Sequence, residues 1–513
     1  MMLTPQNYSQ DIVELSISAW FYRNRAIAGF DNPARSLYVS VRELMENSLD
    51  ACEEAQILPE VTVLLKREKE TLGTDVLSQG PEIFELVVKD NGTGIPRETI
   101  PLLLGKMLTG TKFTHKQSRG TFGLGGSLAL LYGQVTTQRP IEIVTGQKGV
   151  GYGHRIKMRL DIENNLPIIT EEERVPKSMD EHGTMVSFWL QGDWIRSKRR
   201  IIDYFTHTAI IVPYASLFFE TPDDEVIKYD RVIRSIPKPS IESKPHPKGI
   251  DVEMLKSMIT STRKRTLKSF FIGSFQRVGS TIAEEFLTSI DLDPDRTPES
   301  MDQEELVCMM NAMEKFNKFL PPSAKTLSPV GTKVLQAGVQ RLAPEFVIFR
   351  QRSPSVYEGH PFIVETGVAY GGQLPPGANV IRFANRIPLL YDERSDVSYR
   401  VVRDLNLRSY GLKQEDPLTF MMHICSTKIP YKTIGKEYIA DIDAVRKEID
   451  LGFKDCLREL SKNLRTRNRA SIHRKRESRL SAYYAFTAET LSTATGRQVS
   501  IEKLMGSQGG CSQ

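Results

Sequence analysis

Four short segments carry residue types able to handle a metal-bound triphosphate. The first is Glu43-Leu-Met-Glu46-Asn47-Ser-Leu-Asp50-Ala51. On a helix, Glu43, Asn47 and Asp50 share one face. Asn47 offers an amide oxygen to Mg2+, a hard cation that takes oxygen ligands. Glu43, one turn earlier, is placed to polarise a water at a γ-phosphate as a general base. Taken alone, the same letters describe an ordinary acidic helix surface. The second segment is Asp90-Asn-Gly92-Thr-Gly94-Ile-Pro96, directly after the apolar run FELVVK. It puts a carboxylate at a sharp turn, where glycines let a flat base approach the backbone and the Asp can accept from an adenine amino group. The third is Gly110-Thr111-Lys112-Phe113, then Ser118-Arg119-Gly120-Thr121-Phe122-Gly123-Leu124-Gly125-Gly126-Ser127, feeding the apolar helix SLALLY. Bare loop amides and a helix N-terminus make an anion cradle. The ten residues before it are polar loop rather than strand, unlike a dinucleotide fingerprint, and the GK[ST] of a Walker loop is missing. The fourth is Gly183-Thr184, opening the strand MVSFWL, where a hydroxyl could bond a base or a bound water.

Regular elements must hold these segments together. Ser36 to Ala55 is expected to be helical, since Leu37, Val41, Leu44, Met45, Leu49 and Cys52 recur at three- and four-residue spacing. Residues 1–30 also read as helical behind a short leading strap. Val61–Lys66, Phe84–Lys89, Ile141–Thr145 and Thr184–Leu190 read as strands, which makes the first part of the chain a mixed α/β layer. The Pro/Lys/Ser stretch from Ile236 to Gly249 is a linker. A helical block from Val252 to about Ala343 follows, interrupted at Pro321-Pro322; strands return from Phe346. A long amphipathic helix is expected from Ile442 to Leu464, with Val445, Ile449, Phe453, Cys456, Leu457 and Leu460 on one face. The remainder, to Gln513, is basic and then Ser/Gly/Thr-rich, and is expected to be a partly disordered tail. The fold class is α+β and multidomain.

Bulk properties narrow the function. At 513 residues the chain is too long for one ordinary domain, and 40% apolar with 26% charged residues suits packed cores in water. No run of about 18 apolar residues occurs, so no membrane association is expected. The first residues, MMLTPQNYSQDIVEL, lack a basic region followed by an apolar stretch, so a cytoplasmic location is expected. The five cysteines are scattered without a CxxC pair, which supports neither a disulfide framework nor a zinc site. Net charge is only +5, but the basic residues cluster: Arg196, Lys198, Arg199 and Arg200; Arg263, Lys264, Arg265 and Lys268; and eight Lys/Arg between Lys462 and Arg479 against the single acid Glu477. Three such clusters point to a polyanion partner.

In this order and spacing the four segments resemble the Bergerat (GHKL) ATP-binding fold, shared by gyrase-type topoisomerases, MutL, a large heat-shock chaperone and sensor histidine kinases. The resemblance implies Glu43 as general base, Asn47 as Mg2+ ligand, Asp90 as adenine reader with Thr184 in support, and Thr111, Lys112 and Gly120 to Ser127 as lid and phosphate cradle. RGTFGLGGSLALLYGQVTT, GVAYGG, RFANRIPLLYDERSDV and HICSTKIPYKTIGKEYIADIDAVRKEI look like the B subunit of topoisomerase VI, a type IIB DNA topoisomerase, over most of residues 10–465. Thr121-Phe122 departs from the Gln-Gln of many relatives. By this resemblance residues 1–15 are a strap, 16–235 the ATP-binding domain, 248–322 a helix-two-turns-helix domain, 323–468 an α/β transducer and 469–513 the tail.

Lys428, in Ser426-Thr427-Lys428-Ile429-Pro430, matches the family's switch-loop lysine, a point charge for a γ-phosphate. Lys432 and Lys436 lie in the same stretch, and Arg386 is a further candidate. Asp291-x-Asp293-x-Asp295 is not a calcium loop, because Arg296 stands where glycine is needed, and it reads as a solvated turn. The resemblance implies that cleavage of double-stranded DNA belongs to a separate A subunit, in an A2B2 heterotetramer whose B subunits dimerise on ATP, in an archaeal-type cell. The alternative is a clamp ATPase of chaperone or MutL type that works without strand passage. A histidine kinase would need a phosphoacceptor helix ahead of Glu43.

Overall fold

The computed structural model describes residues 23–68, 82–106, 116–120, 125–432, 436–501 and 504. Its first unit is built on helix α1, Pro33–Glu54, started by Pro33 at its first turn and by the Asn32 side chain, which accepts from Arg35 N. The expected helix begins three residues later than the observed one, because the N-cap and first turn carry no apolar repeat. Leu37, Val41, Leu44, Met45, Leu49 and Cys52 are all buried.

Eight strands form one sheet: β1 Glu60–Arg67, β2 Glu82–Lys89, β3 Ile141–Gly146, β4 Tyr152–Asp161, β5 Leu166–Pro176, β6 Gly183–Gly192, β7 Ser216–Glu220 and β8 Val226–Tyr229, in the order β5-β4-β3-β6-β2-β1-β7-β8. Of these neighbours only β1 and β7 run parallel. Alternate residues (Val61, Val63, Leu65; Phe84, Leu86, Val88; Val186, Phe188, Leu190) turn into a core shared with α1, with α3 (Gly125–Thr137) and with α4 (Trp194–Ile211). A short α2, Ile100–Gly105, lies between β2 and α3. The β4–β5 hairpin escapes sequence reading because β5, at its exposed sheet edge, carries the charged run Glu171–Arg174 with no apolar alternation. The basic run at Arg196–Arg200 occupies the outer side of α4, whose other side buries Ile201, Tyr204 and Phe205.

Helices α5 (Val252–Ser261), α6 (Leu267–Ser274), α7 (Ser280–Thr288) and α8 (Gln303–Lys315) enclose a separate core around Phe270, Phe271, Phe275 and Phe286. Asp302 and Glu305 form a capping box at the start of α8. After α9 (Thr332–Val339) comes a second sheet of β9 Phe346–Gln351, β10 Ser355–Tyr357, β11 His360–Tyr370, β12 Ala378–Ala384, β13 Ile387–Pro388 and β14 Leu418–Ser426, with α10 (Val397–Asp404) before β14. β11 and β14 are buried along almost their whole length because both sheet faces are covered. One face packs on the last helix, α11 (Asp443–Thr495); Gly452 lets that helix close on Thr366, whose Oγ1 would lie 2.5 Å from an added Cβ. The other contributes Phe349, Ala369, Ile381, Phe383 and Met421 to the core of the first unit, so the two sheets share apolar packing.

Helix α11 runs from Asp443 to Thr495. Its expected apolar face is buried, but the expected end at Leu464 and the expected disordered tail from 469 are corrected: residues 465–495 continue the helix. They contain no Gly or Pro, and Ala, Arg, Lys, Glu and Leu all propagate a helix well. This extension is almost wholly exposed, which removed the apolar periodicity that would have marked it.

Candidate nucleotide site

The middle of α1 carries a buried stripe of charge. Arg42 Nη2 donates to Glu43 Oε1 at 2.5 Å, and Arg42 Nε lies 3.5 Å from Glu46 Oε1. The N-terminus of α3 presses on the same stripe. A Cβ on Gly125 would fall 1.7 Å from Glu43 Oε2, and one on Gly126 would fall 2.8 Å from Asn47 Nδ2. Bare backbone at the start of an α-helix therefore faces the two side chains expected to handle phosphate and metal. Asn47 is exposed while its neighbours Glu46 and Ser48 are buried. Its amide oxygen is a hard donor that fits Mg2+, which takes few protein ligands and completes its shell with phosphate and water oxygens.

The strand ends hold the second group. Asp90 Oδ1 accepts from Gly92 N at 2.9 Å and Thr184 N at 3.2 Å, and Oδ2 accepts from Ser48 Oγ at 3.0 Å. Burial pushes the Asp90 carboxyl above its ordinary range, against those three donors. Thr184 Oγ1 lies 3.4 Å from Thr145 Oγ1, which accepts from Ile95 N at 2.7 Å. Two glycines are required here. Gly94 has φ +74° and Gly183 φ +131°, and a Cβ on either would collide with a carbonyl, 2.2 Å from Gly146 O and 2.1 Å from Asp90 O. Ser48 and Thr145 were missed by sequence reading. Ser48 adjoins Asn47 in the chain, and Thr145 stands opposite Thr184 across the β3–β6 ladder, a pairing that only strand register reveals.

Thr111, Lys112, Thr121, Phe122, Gly123 and Leu124 lie outside the described residues, as does the strap at 1–15. Gly120 precedes that gap; Gly125, Gly126 and the buried Ser127 follow it.

The switch-loop lysine presents a choice. Lys428 Nζ pairs with Glu358 at 2.8 Å, both side chains about half exposed. Lys436 is buried, with Nζ 3.5 Å from Glu46 Oε2 and 3.9 Å from Glu43 Oε1. The adjacent Glu437 pairs with Arg35 in the first turn of α1. Neither Glu46 oxygen has a hydrogen-bond partner among the described residues. Burial pushes the Glu46 carboxyl up to about 7, although the Lys436 ammonium pulls it down.

A second ionic cluster lies at the far end of α1. Glu53 accepts from Arg119 Nη2 at 2.6 Å and Nη1 at 3.0 Å, from Arg386 Nη1 at 2.5 Å and from Tyr214 Oη at 2.7 Å. Arg119 Nη1 also donates to Asp50 at 2.6 Å. Burial, the largest influence on Glu53, pushes its carboxyl up, but the two guanidiniums outweigh it and hold the group below the ordinary carboxylate range. Arg386 thus sits on Glu53 rather than among the phosphate-facing residues. It occupies the tip of the β12–β13 hairpin, where Asn385 and Arg386 both take positive φ, 47° and 68°. Its N–H donates to His423 Nε2 at 3.1 Å, which leaves His423 Nδ1 to donate to Glu365 at 2.8 Å. The sequence signal for this cluster was the acidic series Glu43, Glu46, Asp50, Glu53 at core-face spacing: buried acids at that spacing require partners.

An α/β sandwich with these residues is a histidine kinase-, DNA gyrase B- and HSP90-like ATPase fold, and that family's model matches residues 32–192. The model of the topoisomerase VI B subunit's transducer matches residues 322–476. Proteins named as the B subunit of type 2 DNA topoisomerase 6 are similar over nearly the whole chain. That of Metallosphaera sedula is 40% identical over 91% of this chain and 87% of its own length. Those of Sulfurisphaera tokodaii and Saccharolobus solfataricus are 40% and 37% identical over 91% and 97% of this chain, covering 87% and 93% of theirs. The chain belongs to the family of type 2 DNA topoisomerase 6 B subunits, the ATPase subunits of type IIB topoisomerases. Among the described residues no helix is long and apolar enough to cross a membrane.

Proposed function

We propose that this chain holds ATP with Mg2+ in the groove between α1 and the start of α3, and that the transducer reads the terminal phosphate through Lys436. The single observation that carries this reading is the approach of a buried transducer lysine to Glu43 and Glu46. Lys436 meets these carboxylates only at 3.5 and 3.9 Å, so a phosphate oxygen at hydrogen-bond distance offers that ammonium a closer, charge-assisted partner. Lys428, already paired on the surface with Glu358, is the weaker choice.

In this reading Asp90, set by Ser48 and the amides of Gly92 and Thr184, accepts from the adenine amino group. Gly125 and Gly126 offer backbone to the phosphates, with Lys112 and Thr111 completing the lid. Asn47 holds Mg2+, which when bound neutralises phosphate charge. Glu43 takes a proton from a water as its oxygen bonds to the γ-phosphorus, and ADP leaves. Arg42 sets the Glu43 carboxylate toward α3.

The domain divisions proposed are 1–15, 16–235, 248–322, 323–468 and 469–513, the last helical as far as Thr495. Two copies dimerise on ATP, and α11 passes the transducer's movement to a DNA-cleaving A subunit in an A2B2 assembly. DNA contacts fall to the exposed basic residues of α4, the 263–265 loop and α11. ATP must favour the closed state by several kcal/mol over the open one to drive this. Hydrolysis of ATP and relaxation of supercoiled plasmid, each measured with and without an A subunit, test the reading. Relaxation requiring both subunits and ATP is expected; ATP turnover without relaxation in the full assembly would reject it.

A further inference from the structure

We infer that Glu53 is the hub of a second coupling contact, through which the transducer senses the anchor of the glycine loop rather than the terminal phosphate. Glu53 is buried, and a carboxylate has about four acceptor sites. Arg119 takes one on each oxygen, Tyr214 a second on Oε1 and Arg386 a second on Oε2. With no site to spare, Arg119 cannot shift without changing what Arg386 is bound to.

Arg119 is the last of three consecutive residues tied to the transducer just before Gly120. Gln117 donates from Nε2 to Ser328 O at 3.1 Å and accepts Ser328 N on Oε1 at 2.8 Å. Ser118 O accepts from Asn385 Nδ2 at 3.0 Å. Arg119 reaches Arg386 through Glu53, and Arg386 Nη2 donates to Ser328 O at 3.0 Å. The loop anchor and the hairpin tip therefore share Glu53 and Ser328 as partners.

The charges of this set balance: Asp50 and Glu53 against Arg119 and Arg386. It is a fixed contact, not one awaiting an anion. It lies ten residues beyond Glu43 on a continuous helix, about 15 Å at 1.5 Å per residue. Contact through Lys436 depends on which phosphates are present; contact through Glu53 depends on where the loop anchor sits. Arg386 and Glu53 are positioning residues for coupling, touching no substrate.

This inference rests on the reading of the chain as the ATPase of a strand-passing enzyme. The test uses the assembled A2B2 enzyme and counts supercoils removed per ATP hydrolysed, below the melting temperature of every variant. Glu53→Gln and Arg386→Gln should each keep the KM for ATP and the hydrolysis rate within about two-fold, and lose roughly ten-fold in supercoils removed per ATP. The double variant should be no worse than either single, since both break one contact. Arg386→Lys should recover part of the loss, because an ammonium can still meet Glu53. Wild-type coupling in both glutamine variants overturns the inference. So does a fall in hydrolysis that matches the fall in relaxation, which marks a merely structural role. A wild-type assembly that hydrolyses ATP without relaxing plasmid overturns the functional reading itself, and this inference with it.

Discussion

Helix α1 is gripped by the transducer at two ionic contacts of opposite character. At its middle, Lys436 stands 3.5 and 3.9 Å from Glu46 and Glu43, and Glu46 has no hydrogen bond among the described residues. At its end, Glu53 has every acceptor site filled by Arg119, Arg386 and Tyr214. The carboxyl groups respond in opposite directions, Glu46 upward to about 7 and Glu53 below the ordinary range. A buried lysine held only by long contacts gains from a closer anionic partner; a carboxylate whose acceptor sites are all taken loses by giving one up. The first contact is therefore suited to changing hands when phosphate arrives, the second to holding position.

The largest effect expected is at the contact in the middle of α1. Glu43→Ala should lower the rate of ATP hydrolysis by about a hundred-fold to ten-thousand-fold while leaving ATP-driven dimerisation intact, since the carboxylate acts on water and not on assembly. Turnover assays and size-exclusion runs with ATP would show it; ordinary hydrolysis by Glu43→Ala removes the base assignment.

Next comes the Glu53 contact, read as stability. Glu53→Gln should cost roughly 3 kcal/mol at neutral pH, the size of breaking a buried ion pair. Because the folded carboxyl is depressed below its unfolded value of 4.5, its stabilisation is complete above that value and is lost as pH falls through the folded pKa. Melting curves over a pH series should show the wild type converging on the variant only below pH 4.5. A constant gap across that range would mean that the charge of Glu53 contributes nothing.

Finally, the two lysines can be set against each other. Lys436→Ala should reduce hydrolysis by roughly a hundred-fold, as expected for removing one charged donor from a transition state. Lys428→Ala breaks a half-exposed pair worth about 0–1 kcal/mol, so it should change the rate by only a few-fold. The reverse ranking in a steady-state assay would return the switch role to Lys428.

Much of the architecture could be read from local pattern. The spacing of Leu37, Val41, Leu44, Met45 and Leu49 marked α1, because its burial face repeats within a few residues, and short β-branched, apolar-rich runs marked β1 and β2. The turn at Gly94 was legible because only glycine fits where a Cβ would meet a carbonyl. What local pattern could not show was β5 and the end of α11, both exposed and therefore without apolar period.

It also could not choose among Lys428, Lys432 and Lys436, three like charges within one short stretch of chain. Nor could it pair Glu53 with Arg386, which are separated by 333 positions. Spacing along the chain determined which faces had to be buried and where backbone had to be bare. Which charges met inside was decided by the path that brought the second sheet against α1, since an ion pair depends on distance in space and leaves no period in the sequence.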